Sequence, residues 1–336
     1  MKRYFDQKMK RDICEEEFDG RVFRFPAVFA NRYEASGILA AGGFGALLIA
    51  RDKKIFDRKV LVKLPLLDEH LFLHQRNTAL NNAVSEAQAR TEFEKKMLLH
   101  GHLRGISGIP TLIDWIEDVW PQVYGPHKDS NGVEFFVTDS GLYEKMTFLV
   151  MSFIDGAELD THLQDFIPIK KKPAETLKFI AVTLAKTLQA FHQKEPFGSH
   201  TLHFIYQDLK PANILGIKYG GYFLVDFGSF AVVFDDLTPQ NTGIGTDGYK
   251  APEADSGEQF INPQLDVFSL GKTLLECWDA LNNINHIPSG KRDQLKDLPQ
   301  KLPSSWKVFL DRCIETDVAK RWKDMDAVIP ELNKLR

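Results

Sequence analysis

Tyr206-Gln207-Asp208-Leu209-Lys210-Pro211-Ala212-Asn213 is followed downstream by Val225-Asp226-Phe227-Gly228. The two stretches gather two carboxylates, an ammonium and a carboxamide between apolar residues. Further on stands Ala251-Pro252-Glu253. Upstream, Gly42-Gly43-Phe44-Gly45 precedes Lys63. Alone, those glycines are accounted for equally well by any tight turn between two strands. Lys63 adds a point cation behind a backbone that can approach phosphates closely, and the two together read as an anion site.

Around these stretches the pattern divides the chain. Residues 1–32 mix charges of both signs with scattered Phe, show no sustained period, and are expected to be an extension docking on the main body. From Tyr33, Ile38-Leu39, Leu47-Leu48-Ile49-Ala50 and Val60-Leu61-Val62 are short β-type runs, the last after a charged, hairpin-like stretch. Residues 83–99 predict a helix with Ala83, Ala87, Glu94, Met97 and Leu98 on one side. Residues 112–120 and 147–153 predict strands, with a long loop over 121–141 between them. Beyond Asp155, helices are expected over 176–193, 269–278 and 304–314, the last with a Ser cap. The domains expected are thus 1–32, 33–154 (strand-rich) and 155–336 (helix-rich), with a hinge near 152–156.

Composition narrows the function. The 336 residues carry 42 Lys+Arg against 46 Asp+Glu, net −4, and 43% are hydrophobic, as in soluble folded proteins. The longest basic run is Lys170-Lys171-Lys172, so nucleic acid is not the expected partner. Cys14, Cys277 and Cys313 are odd in number and far apart, which predicts reduced thiols and a cytoplasmic location. The longest uncharged run, 35–50, contains four glycines and falls short of the ~20 apolar residues that span a bilayer. The first residues carry charge but no apolar core of a secretion signal.

The ordered set Lys63, Asp208, Asn213, Asp226-Phe227-Gly228 and Ala251-Pro252-Glu253 resembles the signature of the eukaryotic-like protein kinase family over about residues 33–336. The resemblance implies an α+β, bilobal fold. One lobe would hold a five-stranded antiparallel sheet with one helix beside it, and the other would be mainly helical. It implies transfer of the ATP γ-phosphoryl group to a protein hydroxyl. Asp208 would orient the hydroxyl and take its proton. Asn213 and Asp226 would hold Mg²⁺, with Mn²⁺ as an alternative. Lys63 would contact the α/β-phosphates and pair with a Glu on the following helix. Glu94 shares the stripe of Ala87 and Leu98, whereas Glu92 points about 200° away at ~100° per residue.

Lys210 resembles the lysine that Ser/Thr-directed members place near the γ-phosphate. Thr246 resembles the threonine that braces the catalytic Asp and Lys. The ATP site implied further comprises Leu39, Gly42, Gly43, Gly45, Leu47, Leu61, the gatekeeper Met151, main-chain groups of Ser152 and Ile154, Glu158 and Leu215. Asp266 matches the buried Asp under the catalytic loop, and Arg321 the partner of Glu253.

Five positions depart from the pattern. Ala40 replaces the first loop glycine. Leu47 and Leu61 put larger side chains on the adenine roof, a feature that would favour a pseudokinase acting as a nucleotide-binding scaffold or regulator. Gln207 replaces the Arg that receives an activation-loop phosphate (a non-RD loop), so dependence on phosphorylation at Thr238 or Thr242 is not expected. Tyr206 replaces the His, with a ring able to pack beside Phe227. A small-molecule phosphotransferase of similar fold is the other alternative, disfavoured by the Gly-rich loop and by Glu253 with its Arg partner.

Overall fold

Alternation of apolar residues makes Gly45–Asp52 a strand with Ala46, Leu48, Ala50 and Asp52 turned inward, and a nearly continuous apolar run does the same for Arg58–Pro65. The structure is a computed structural model. It describes residues 1–7, 10–41, 45–65, 78–121, 124–125, 127–128, 134–135, 143–165, 172–218, 220–234, 244–255, 261–282 and 302–335. The chain divides into two units, 1–102 with 110–153, and 103–109 with 154–336.

The first unit contains β1 (Lys2–Asp6), β2 (Arg11–Phe18), β3 (Arg21–Pro26), β4 (Val28–Phe29), β5 (Tyr33–Ala41), β6 (Gly45–Asp52) and β7 (Arg58–Pro65). Then come α1 (Thr78–Leu103), β8 (Leu112–Pro121), β9 (Tyr124–Gly125), β10 (His127–Lys128), β11 (Glu134–Phe135) and β12 (Tyr143–Ser152). The main sheet has the order β4-β5-β6-β7-β12-β8, all antiparallel. Six strands stand where five were expected. The addition is β4, turned back on β5 through Ala30 and Asn31 at φ 48° and 53°.

Residues 1–32 share the core of this unit. Strands β1, β2, β3 and β9 form a second sheet in that order. Cys14, Phe23, Phe25 and Phe29 lie in one apolar cluster with Leu48, Val62 and Phe148. The period is hidden in the sequence because Ile13 and Cys14, adjacent on β2, are both buried. The expected loop over 121–141 includes β9, β10 and β11, and most of its remainder lies outside the described residues.

The second unit contains β13 (Gly156–Glu158), α2 (Leu159–Asp165), α3 (Pro173–His192), β14 (Glu195–Phe197), β15 (His200–Ile205), β16 (Ile214–Ile217), β17 (Tyr222–Leu224) and β18 (Ala231–Phe234). It ends with α4 (Gln264–Asn282), α5 (Ser304–Cys313) and α6 (Met325–Lys334). Two small sheets, β13-β16-β17 and β14-β15-β18, lie among these helices. Helix α3 buries Leu177, Ile180, Leu184, Leu188 and Phe191, one stripe at helical spacing. Helix α4 is buried on nearly every side, and a Cβ on its Gly271 would sit 2.7 Å from Cys313 Cβ of α5.

The Ser cap expected on α5 is corrected. Ser304 is already helical, and Pro303 occupies the cap without a side-chain acceptor. Helix α6 does have one, as Asp324 accepts from Ala327 N at 2.9 Å. Among the described residues no helix is long and apolar enough to cross a membrane.

Candidate active site

In the first unit, β7 carries Lys63 and α1 carries Glu94. Lys63 Nζ donates to both Glu94 oxygens, at 2.9 and 2.7 Å. Glu94 is only 5% exposed, buried on the α1 face that also buries Ala87, Thr91, Met97 and Leu98. A carboxylate so desolvated needs this bidentate partner. Gly45 pairs with Pro65 across the sheet, and a Cβ there would meet Lys63 Cε at 3.0 Å and Leu64 O at 3.1 Å. A side chain where β6 begins would press the lysine stem and the Leu64 carbonyl aside by a few tenths of an ångström. Gly42 and Gly43 lie outside the described residues.

Leu47 lies opposite Lys63, and Leu61 lies between Ile49 on β6 and Met151 on β12. Leu61 and Met151 are buried, Leu47 is half-buried, and Leu39 is exposed. Ser152 is tied to Thr111 twice. Its N–H donates to Thr111 O, and its Oγ accepts from Thr111 N, both at 2.9 Å.

In the second unit, Asp208 sits at the centre of a hydrogen-bonded cluster. Lys210 Nζ donates to Asp208 Oδ2 at 2.9 Å and to Thr246 Oγ1 at 2.6 Å. Thr246 Oγ1 in turn donates to Asp208 Oδ1 at 2.6 Å. Asn213 Nδ2 donates to the Asp208 carbonyl at 2.8 Å and to Oδ2 at 2.9 Å. Both carboxylate oxygens are thus fixed before any ligand arrives. Asp226 follows Val225, whose N–H donates to Asn213 O at 2.9 Å, and takes a left-handed backbone at φ 63°. Such strain in a residue with a Cβ is characteristic of functional turns.

The loop is held from beneath. Asp266, fully buried on α4, accepts from Tyr206 N and Gln207 N, both at 2.8 Å, and lies 2.9 Å from His192 Nε2. The Tyr206 ring meets Phe227 edge-on at 6.3 Å, and its hydroxyl donates to Val225 O at 2.5 Å. Gln207, at φ 69°, is 4% exposed, and its side-chain amide has no hydrogen-bond partner among the described residues. Glu253 receives Arg321 bidentately at 2.5 and 3.0 Å, and Arg321 Nε also donates to Glu315 O at 2.8 Å.

Glu158 and Leu215 pair across β13 and β16. Desolvation by neighbouring groups, reinforced by Asp160, raises the carboxyl of the solvent-exposed Glu158 above the usual carboxylate value, while Lys210 pulls it down. Ile154 accepts from Gly156 N at 3.0 Å. Two groups that the sequence did not single out belong to this frame: His192 beneath Asp266, and Ser229, whose Oγ donates to Tyr206 O at 3.0 Å. Neither lies in the quoted stretches, so no local signal marks them. Thr238 and Thr242 lie outside the described residues.

A model of the protein kinase domain family matches residues 130–329, a span that includes Asp208, Asn213, Asp226, Glu253 and Arg321. Mitogen-activated protein kinase kinase 1c of Physcomitrium patens is 32% identical over 52% of this chain and 51% of its own length. Serine/threonine-protein kinase F of Synechocystis is 26% identical over 77% of this chain and 48% of its own. Serine/threonine-protein kinase D of the same organism is 24% identical over 91% of this chain and 52% of its own. The chain thus spans about half the length of these curated relatives.

Proposed function

We infer that this chain, which belongs to the protein kinase domain family, transfers the γ-phosphoryl group of ATP to Ser or Thr hydroxyls of protein substrates. The observation that carries the reading is the cluster of Asp208, Lys210, Thr246 and Asn213. Asp208 accepts the proton of the incoming hydroxyl as its oxygen bonds to the γ-phosphorus. The bond from that phosphorus to the β,γ-bridging oxygen breaks, and ADP leaves. Lys210, held 2.9 Å from Asp208, offers its ammonium to the γ-phosphoryl oxygens, where charge develops. Lys63, held by Glu94, serves the α/β-phosphates.

The residues present fit a hard divalent cation. Asp226 supplies a carboxylate, and the Asn213 amide nitrogen is committed to Asp208, so its carbonyl oxygen is the atom that would serve a cation. Mg²⁺, or Mn²⁺, when bound there would neutralise charge on the β- and γ-phosphates. The nucleotide contacts proposed are those of Leu39, Gly42, Gly43, Gly45, Leu47, Leu61, Met151, Ile154, Glu158 and Leu215. Ser152 joins them through its carbonyl, since its N–H is taken by Thr111. Independence from activation-loop phosphorylation is part of the same reading. Gln207 is neutral and buried, with no cation to offer a phosphate. So is a cytoplasmic location, supported by three buried, free thiols.

The test is Asp208→Asn with ATP, Mg²⁺ and a generic basic protein. We expect kcat to fall at least about a hundredfold with ATP affinity within a few-fold of wild type. Unchanged turnover would overturn the assignment. Leu61, only 8% exposed opposite Met151, favours a second reading, a pseudokinase with a narrowed adenine site. If that holds, ATP raises the melting temperature of wild type while no phosphate reaches a protein hydroxyl.

A further inference from the structure

The hairpin between β6 and β7 reads Arg51-Asp52-Lys53-Lys54-Ile55-Phe56-Asp57-Arg58-Lys59. It carries five basic residues against two acidic ones, a net positive tip on a chain that is net negative. Both acids are already engaged. Asp52 is fully buried and held by Arg32 at 2.8 Å, with Arg58 at 3.5 Å. Lys53 pairs with Asp57 at 3.0 Å and with Glu34 of β5 at 3.3 Å, pairs at the surface that water and salt screen. Lys54 has no acidic partner among the described residues.

At the apex two apolar side chains stand together, Phe56 fully exposed and Ile55 40% exposed. The turn is closed by Arg58 N donating to Ile55 O at 2.8 Å. Phe56 and Asp57 take consecutive left-handed conformations, φ 48° and 53°, in a place that Asn-Gly fills without strain. The backbone thus holds a large ring outward at a position where a small residue would be easier. A single exposed apolar residue needs no explanation. Two at the apex of a hydrogen-bonded hairpin, ringed by Lys and Arg, form the amphipathic pattern suited to a bilayer interface.

We propose that this hairpin docks on an anionic lipid surface, with Ile55 and Phe56 at headgroup depth and Lys53, Lys54 and Arg58 against the lipid charges. Anionic lipid is the occupant because the tip is basic and its apolar part is a wedge rather than a groove. The strand register sets the wedge at the Asp52–Arg58 end of the β6–β7 pair, and Gly45 and Lys63 toward the other end. Docking there leaves the end carrying Lys63 uncovered.

The experiment is cosedimentation of the full chain with vesicles of phosphatidylcholine alone, or with about a quarter phosphatidylserine. Wild type is expected to bind the anionic vesicles and not the neutral ones, with affinity falling as salt rises. Phe56→Ser weakens binding roughly tenfold through lost burial, and Lys53→Gln with Lys54→Gln weakens it by a similar factor or more. Melting temperatures verify that both variants fold, as expected for exposed positions. No binding by wild type at low salt, equal binding to neutral vesicles, or unchanged binding by folded variants would each overturn the proposal.

Discussion

Thr246 is a residue whose whole contribution passes through others: it takes a hydrogen bond from Lys210 and gives one to Asp208. Thr246→Val keeps the shape and removes both bonds, so kcat should fall about a hundredfold as Asp208 and Lys210 lose the group that positions them. Thr246→Ser should recover most of it, because the hydroxyl returns. Steady-state kinetics on the three proteins, with KM for ATP little changed, check this. The hydrogen-bonded cluster around Asp208 was legible in the sequence because Asp208, Lys210 and Asn213 sit in one contiguous stretch. Glu94 was legible by another route, the helical phase that separates it from Glu92. His192 and Ser229 were not legible. Their contacts to Asp266 and Tyr206 join segments far apart in sequence, and neither residue type announces such a partner.

The elements show the same division. Helix α3 and the buried α4 follow from apolar spacing, with ends shifted by a few residues where caps are weak. The absent Ser cap on α5 reflects a helix that already begins at Ser304, which leaves Pro303 at the cap with no side-chain acceptor to offer. Closer packing between elements was invisible. Gly216 of β16 lies beneath His162 of α2, and a Cβ there would fall 2.4 Å from the ring. The same ring meets Tyr222 of β17 edge-on at 5.9 Å. Burial pushes the His162 imidazole below its ordinary value. A folded imidazole that resists protonation makes the unfolded chain the better proton acceptor. Its contribution is therefore present above the ordinary histidine value, ~6.5, and lost as pH falls below it. Thermal melts from about pH 7.5 to 5 should show a steeper loss for wild type than for His162→Phe. Parallel slopes would contradict this.

For the whole molecule, the largest difference between sequence and structure lies in residues 1–32. Charge of both signs disguised four strands, of which β2, β3 and β4 turn side chains into the core of the first unit. Deleting residues 1–26 removes Ile13, Cys14, Phe23 and Phe25, all at most 3% exposed. At about 1.5–3 kcal/mol for each large apolar side chain, the loss approaches a domain's entire stability, about 5–15 kcal/mol. The truncated chain should lack the first unit's cooperative melt in calorimetry. A melt within a few degrees of the full chain would show these strands to be an appendage after all.

The function proposed for this chain is transfer of a phosphoryl group from ATP to Ser or Thr, with Asp226 holding the metal. The most direct measurement incubates wild type and Asp226→Asn with labelled ATP, Mg²⁺ and a generic basic protein, then maps the phosphosites by mass spectrometry. Label on Ser or Thr is expected with wild type and none with the variant. Absence of transfer by wild type while ATP still raises its melting temperature, or equal labelling by the two proteins, would contradict it.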